Sequence, residues 1–313
     1  MRVLVTGGTG YLGAAIVRAL AARGHQVVCF SRHATASQLP AGVIPADGDV
    51  RDRTSLEGAA RGVDAICHTA ALVSIWRRDR GEFDAVNVGG LEHVLSILRT
   101  QRLSRVVYTS SFLALPPAGS ASPIEGNDYQ RTKVIADRIA RRAIEDGLPI
   151  TALYPGVVYG PGTQTEGNLV GRLVSDHRAR RLPGLLGPER IWSFAYVDDV
   201  AAAHAEAAER TDVTGRYELG GENAPQIRPF EIARDRLGLA LPRRIPPALA
   251  RIAGALEETR ARVTGRPPLL TRGTVDILTR DWPLGHARAS AELGYRVTPL
   301  DVGIERLLAT FQP

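Results

Sequence analysis

The segment VLVTGGTGYLG, residues 3–13, constrains this chain more than any other stretch. It sets Gly7, Gly10 and Gly13 directly after a short apolar run and at the mouth of the first helical pattern. The first glycine permits a positive φ in the turn, the second lets backbone approach a diphosphate, and the third lets helix pack closely on strand. The helix that follows offers free N–H groups and the positive end of its dipole to phosphate. Glycine spacing alone is a weak signal; between a first strand and a first helix it implies a dinucleotide-binding unit.

The next 150 residues repeat that alternation. Apolar runs at 3–5, 26–30, 43–47, 64–68, 105–110 and 150–154 read as strands, continuous rather than alternating because both faces of a parallel sheet are covered. Between them YLGAAIVRALAAR, EFDAVNVGGLEHVLSILRT and DYQRTKVIADRIARRAIED read as helices. Right-handed crossovers then give an α/β fold, a doubly wound parallel sheet. Beyond Gly160-Pro161-Gly162 the pattern loosens. Residues 1–162 are expected to form the nucleotide-binding domain, rejoined by the chain at about 190–222. Residues 163–313 are expected to form a smaller, mostly helical substrate domain. Its segment IPPALARIAGALEETRARV is read as a helix packed within that domain, with a membrane-surface helix as the alternative.

Composition excludes several classes. No run of eighteen apolar residues exists to span a membrane, and the N-terminus lacks the pattern of a signal peptide. Cys29 and Cys67 lie inside apolar runs and read as buried, reduced thiols, so a soluble cytoplasmic protein is expected. The net charge of +6 is spread over scattered arginines with aromatics at only 5%, which argues for a basic surface rather than a nucleic-acid platform. No metal is expected.

The residue after the second strand selects the dinucleotide. An acid there bonds the ribose 2′-hydroxyl of NAD, and an arginine accommodates a 2′-phosphate. This chain reads VVCFSRHA, with Ser31 and Arg32 and no acid, so NADP(H) is expected over NAD(H). The charge-assisted bond is worth roughly 1.5–3 kcal/mol, a preference of about tenfold or more. In GDVRD, Asp49 falls near the sheet edge where adenine should lie, with a plain helix-capping role as the alternative.

The chain writes its cations almost entirely as arginine; Lys133 is its single lysine. It stands four residues after Tyr129 in a helical pattern, on the same face and one turn on. A phenol has a reference pKa near 10 and is a poor acid–base group at neutral pH. An ammonium beside it favours the phenolate and can also bond a ribose, which a bulkier guanidinium does poorly.

Taken together, TGGTGYLG, YQRTK and YTSS resemble the short-chain dehydrogenase/reductase superfamily, in its extended branch. HTAA (68–71), NVGG (87–90), YPGVVYGPG (154–162) and FAYVDDVA (194–201), read as a return strand, resemble further signatures of that branch. IWRRDRGEFDAVNVGG and DWPLGHARASAELGY are most similar to dihydroflavonol 4-reductase and cinnamoyl-CoA reductase relatives. The resemblance implies Tyr129 as the acid that protonates a carbonyl oxygen, Lys133 as ribose ligand, Ser111 as donor to the substrate oxygen, and Asn87 as support for a water and the lysine's helix. Ser110 is the alternative to Ser111, and His68 is expected to serve through backbone or packing. The resemblance also implies cofactor contacts from Tyr11, Leu12, Val50, Ala70, Ala71, Pro155, Gly156 and Val158.

The segment after the serines, SSFLALPPAGSAS, lacks the Tyr-Gly pair of many sugar-modifying members and the acidic pair of dehydratases. An apolar or aromatic carbonyl substrate is therefore expected, with Trp76, Phe112, Tyr154, Tyr159 and Trp192 edging the pocket. The leading expectation is an NADPH-dependent ketone or aldehyde reductase. An NAD-dependent nucleotide-sugar epimerase and a non-catalytic nucleotide sensor are the alternatives. The oligomeric state stays open, a homodimer being one assembly the sequence admits.

Overall fold

In the computed structural model, which describes residues 1–101 and 103–311, all six apolar runs of the first half form strands. The order is β1 (Arg2–Thr6), α1 (Tyr11–Ala22), β2 (Gln26–Ser31), β3 (Ile44–Asp47), α2 (Arg53–Ala59) and β4 (Ala65–His68). A short α3 (Gly81–Phe83) leads through a π-helical segment (Asp84–Gly89) into α4 (Gly90–Gln101). Then come β5 (Arg105–Thr109), α5 (Asp128–Glu145) and β6 (Ile150–Pro155).

The second half contributes β7 (Val157–Tyr159), α6 (Leu169–Arg178), β8 (Leu185–Leu186), β9 (Ile191–Tyr196), α7 (Val197–Glu209) and β10 (Gly215–Leu219). After these come β11 (Glu222–Pro225), α8 (Arg228–Leu237), β12 (Arg244–Ile245), α9 (Pro247–Thr264), α10 (Arg272–Leu278), α11 (Ala287–Leu293) and α12 (Leu300–Ala309).

The main sheet has seven strands in the order β10-β6-β5-β4-β1-β2-β3, every neighbour parallel. Successive side chains of one strand enter opposite layers. Val3, Val5, Cys29, Cys67 and Val107 join a core under α1 and α7, while Leu4, Val28, Ile66, Val106 and Tyr108 join one under α4 and α5. Central strands are therefore buried throughout, and edge strand β3 alternates in exposure. The chain order reverses between β1 and β4, and ligands of open α/β sheets bind at such a point.

The expectation that residues 194–201 are the return strand needs correction. Residues 194–201 are not one strand: β9 ends at Tyr196 and α7 begins at Val197, with Asp198 and Asp199 in its first turn where the helix dipole favours them. Nor does β9 join the main sheet. It pairs with β7 and β11 in a separate three-stranded sheet, and the segment that rejoins the main sheet is β10, beside β6. A third core, built from β7, β9, α6, α8 and α12, lies under the second half.

Candidate active site

The glycine turn has the shape its spacing predicts. Gly7 has φ +70°, and a Cβ there would stand 2.8 Å from the Cα of Ala70 in the loop after β4. Gly13 lies so close under the turn that its Cβ would meet the Gly7 carbonyl oxygen at 2.1 Å. No side chain caps the start of α1, so its first N–H groups remain available to an anion. Tyr11 spends its side chain elsewhere: its hydroxyl donates to the Gly160 carbonyl at 3.1 Å and burial raises its pKa. Leu12 packs against the core beside α1. These two residues can therefore meet a pyrophosphate through backbone. The site fits a dinucleotide.

At the end of β2, Arg32 is exposed and makes no ion pair among the described residues, while the Ser31 hydroxyl is buried without a partner. The guanidinium is thus open to solvent and the hydroxyl is not. Asp49 is already engaged: Arg51 donates to its carboxylate from Nε at 3.0 Å and Nη2 at 2.7 Å, holding its pKa low, with Arg32 adding to the effect. Val50 is buried and its carbonyl meets Nδ1 of His93 at 2.8 Å. Helix α2, unforeseen in the sequence, starts just beyond, where Asp52 accepts from the N–H groups of Thr54 and Ser55.

The lone lysine is nearly fully buried on α5. Asn127 caps that helix by accepting from the Gln130 N–H. The Lys133 ammonium donates to the Thr109 carbonyl at 3.0 Å, and burial brings its pKa down to about 8. One turn earlier, burial pushes Tyr129 up to about 12, and the facing Ser111 hydroxyl pulls the other way. The lowering of this phenol by Lys133, expected from the spacing, is not produced by the chain alone. The ammonium turns to Thr109, and its charge is felt instead by His68, which burial already holds neutral with a pKa of about 3.

The two serines face different ways. Ser111 faces Tyr129, and its oxygen also accepts from the Leu113 N–H at 3.2 Å. Ser110 points toward Tyr108 and Asp137. His68 is buried, with Nδ1 against the Thr6 hydroxyl at 2.8 Å and its ring stacked on Tyr108.

Asn87 sits in the π-helical segment, a device common at functional sites. Its Oδ1 accepts from the Leu72 N–H at 2.7 Å, and its Nδ2 donates to the Thr132 hydroxyl at 2.9 Å. Asn87 thus ties the loop carrying Ala70 and Ala71 to the helix carrying Lys133. Thr132 and Thr109 were not picked out from sequence. Their signal is adjacency: Thr132 precedes Lys133, and Thr109 is the threonine of YTSS itself, at the end of β5.

The remaining residues divide sharply. Pro155 ends β6, and Gly156 passes so close to β9 that a Cβ would meet the Ser193 carbonyl oxygen at 2.4 Å. Val158 is partly buried against the core around α1. Phe112 lies between Trp192 and Trp282, in near-perpendicular contact with the latter at 5.6 Å. It lines a recess of about 350 Å³ together with Leu115, Pro116, Glu218, Trp282 and Leu284. Trp192 backs Phe112 from the core rather than edging the recess. Tyr154 and Tyr159 leave the pocket altogether. Tyr154 donates to Asp137 inside the core, and Tyr159 is packed so tightly on Gly303 that a Cβ there would clash with its hydroxyl. Trp76 is in the loop after β4 and does not line this recess.

Comparison with known proteins identifies the family. Residues 3–220 match the NAD dependent epimerase/dehydratase family. Sterol demethylase protein B of Methylococcus capsulatus is 32% identical over 100% of this chain and 98% of its own. The 2-alkyl-3-oxoalkanoate reductase of Stenotrophomonas maltophilia is 34% identical over 67% of this chain and 66% of its own. A putative dihydroflavonol 4-reductase of Synechocystis is 29% identical over 93% and 88%. Among solved structures, the Thermus thermophilus UDP-glucose 4-epimerase in complex with NAD superposes with a TM-score of 0.75 at 25% identity, covering 98% of this chain and 99% of that one. The chain belongs to the NAD dependent epimerase/dehydratase family, within the extended short-chain dehydrogenases/reductases, and is an NAD(P)-dependent oxidoreductase of that type.

Proposed function

We propose that the protein is an NADPH-dependent reductase of a ketone or aldehyde group on a small apolar or aromatic substrate. The observation that carries this reading is the set of apolar side chains beginning one residue beyond Ser111, where Phe112, Leu115, Pro116, Trp282 and Leu284 line one recess, with Glu218 and Ser120 as its polar members. When bound, the nicotinamide supplies the hydride for the carbonyl carbon. Tyr129, held protonated by burial, gives its proton to the carbonyl oxygen, and the Ser111 hydroxyl donates to that same oxygen. Lys133 binds the ribose and, charged, favours the phenolate that Tyr129 becomes. Asn87 acts through Thr132 to orient the lysine's helix. Ser31 and Arg32 receive the 2′-phosphate, the Gly7–Gly13 turn receives the pyrophosphate, and Asp49 and Val50 flank the adenine. Ala70, Ala71, Pro155, Gly156 and Val158 line the path toward the nicotinamide.

The named relatives support the same class. A 2-alkyl-3-oxoalkanoate carries a ketone beside alkyl chains, and the relative named for it reduces such a group. Two buried free thiols favour a reducing, cytoplasmic setting. The second reading, an epimerase retaining NAD, draws on the likeness to the T. thermophilus enzyme.

The test is a paired titration with NADPH and NADH, preceded by denaturing a sample to identify any nucleotide retained through purification. Tighter binding of NADPH is expected, with Arg32→Ala weakening it by about tenfold or more while NADH is scarcely affected. Stoichiometric retained NAD would put the epimerase first, and equal losses for both cofactors would make Arg32 structural.

A further inference from the structure

Helix α9 is built the wrong way out for a helix that packs only on its own domain. The side chains it buries are Ala250, Gly254 and Ala261. The fit leaves no room for larger ones: a Cβ on Gly254 would come within 3.0 Å of the Arg272 backbone nitrogen at the start of α10. Its large apolar residues point to solvent instead, with Leu249 and Ile252 each 60% exposed, Leu256 67% and Val263 83%. Spacings of three, four and seven set these four along one stripe. Leu269, in the loop that follows, extends the stripe's apolar surface at 87% exposed. Of the eight large apolar side chains exposed among the described residues, five fall between 249 and 269, so the feature is concentrated rather than scattered.

Charge gathers in the same place. Between residues 243 and 272 there are seven arginines; four of them pair with Glu189, Glu257, Glu258 and Asp276, which leaves a local net charge of +3. Arg243, Arg262 and Arg266 form no ion pair among the described residues. A second copy of this face would bring two such charges together, which opposes association. An anionic lipid surface satisfies both the stripe and its flanking cations.

We propose that α9 and the Leu269 loop are a peripheral docking surface for anionic membrane, the helix lying in the interface plane with its stripe immersed. The docked surface stands close to the catalytic helix. A Cβ on Gly265, just past α9, would approach the Arg78 guanidinium in the loop after β4, and the next helix, α10, packs at Gly273 on Gly126 before α5. The inference rests on exposure and charge and is independent of the substrate assigned above.

The experiment is co-sedimentation of the full chain with phosphatidylcholine vesicles, with and without about one third phosphatidylglycerol. The protein should pellet with the anionic vesicles and be released as salt rises. The double variant Ile252→Ser/Leu256→Ser, altered only at exposed positions, should partition about tenfold or more weakly. Arg262→Glu/Arg266→Glu should lose the preference for anionic vesicles. Wild-type protein staying in the supernatant at low salt, or a serine variant that pellets undiminished, would overturn the proposal. A dimer in sedimentation velocity that the serine variant dissolves, with no vesicle binding by either, would assign the face to a second copy instead.

Discussion

Helices α5 and α9 are each 18 residues long, and each departs from the usual amphipathic pattern, in opposite senses. Helix α5 turns polar groups inward and gives each a partner. Gln130 donates to the Leu113 carbonyl, Thr132 meets Asn87, Lys133 meets the Thr109 carbonyl, and Asp137 accepts from Tyr154. Buried polar groups cost little once paired, and a paired network holds its members in one geometry. Helix α9 turns large apolar groups outward, and nothing among the described residues covers them. One anomaly is resolved inside the molecule, where the buried polar groups pair with one another. The other is unresolved, and so points beyond the molecule.

The comparison is tested most severely at Tyr129. If α5 is arranged around proton donation, Tyr129→Phe should lower turnover by about 10²- to 10⁴-fold while NADPH affinity, read by fluorescence titration, changes little. Undiminished turnover would leave the buried polar cluster without a catalytic purpose. The next effect is in the pH profile. With Tyr129 near 12 and Lys133 near 8, reduction needs the ammonium, which is present below pH 8 and lost above it. The kcat/KM for NADPH, which reports the free enzyme, should therefore fall about tenfold per pH unit above 8. A profile flat to pH 10 would contradict the requirement for a charged lysine.

The smallest effect distinguishes the two helices by stability. Val134→Ala on α5 should cost about 2 kcal/mol in urea unfolding, while Leu256→Ser on α9 should stay within about 0.5 kcal/mol. Equal costs would mean that the α9 stripe is packed in solution, and the contrast between the helices would fail.

How far these features could be read in advance follows the physics of each. Strands β1, β2, β4, β5 and β6 were legible because burial on both faces writes them as unbroken apolar runs. The glycine turn was legible because close approach admits no side chain. Helix α2 was not, since RTSLEGA buries only Leu56 and its one signal was the capping Asp52. The π-helical segment around Asn87 was invisible, because apolar spacing reports a face and not which carbonyl each N–H reaches. Tyr154 and Tyr159 flank a motif expected at the pocket, yet alternation along β6 and β7 turns both into packing. Helix α9 was expected to pack within its domain. With Ala and Gly on one side and Leu, Ile and Val on another, the pattern could not say which side the domain would take, and close approach at Gly254 decided for the small one.

The place of β10 bears on how the chain comes to be assembled. Strand β6, apolar and fully buried in the finished sheet, has its outer neighbour in a strand that begins only at Gly215. During synthesis the edge ITALYP is complete long before its cover exists, and an uncovered apolar edge is a template for pairing with other chains. A chain stopped after Gly162 would hold every residue of the glycine turn and the Tyr129–Lys133 pair, and would still present that open edge. The seven-stranded sheet is thus discontinuous as a folding unit, so cooperative folding has to wait for sequence that lies beyond the glycine turn and the Tyr129–Lys133 pair.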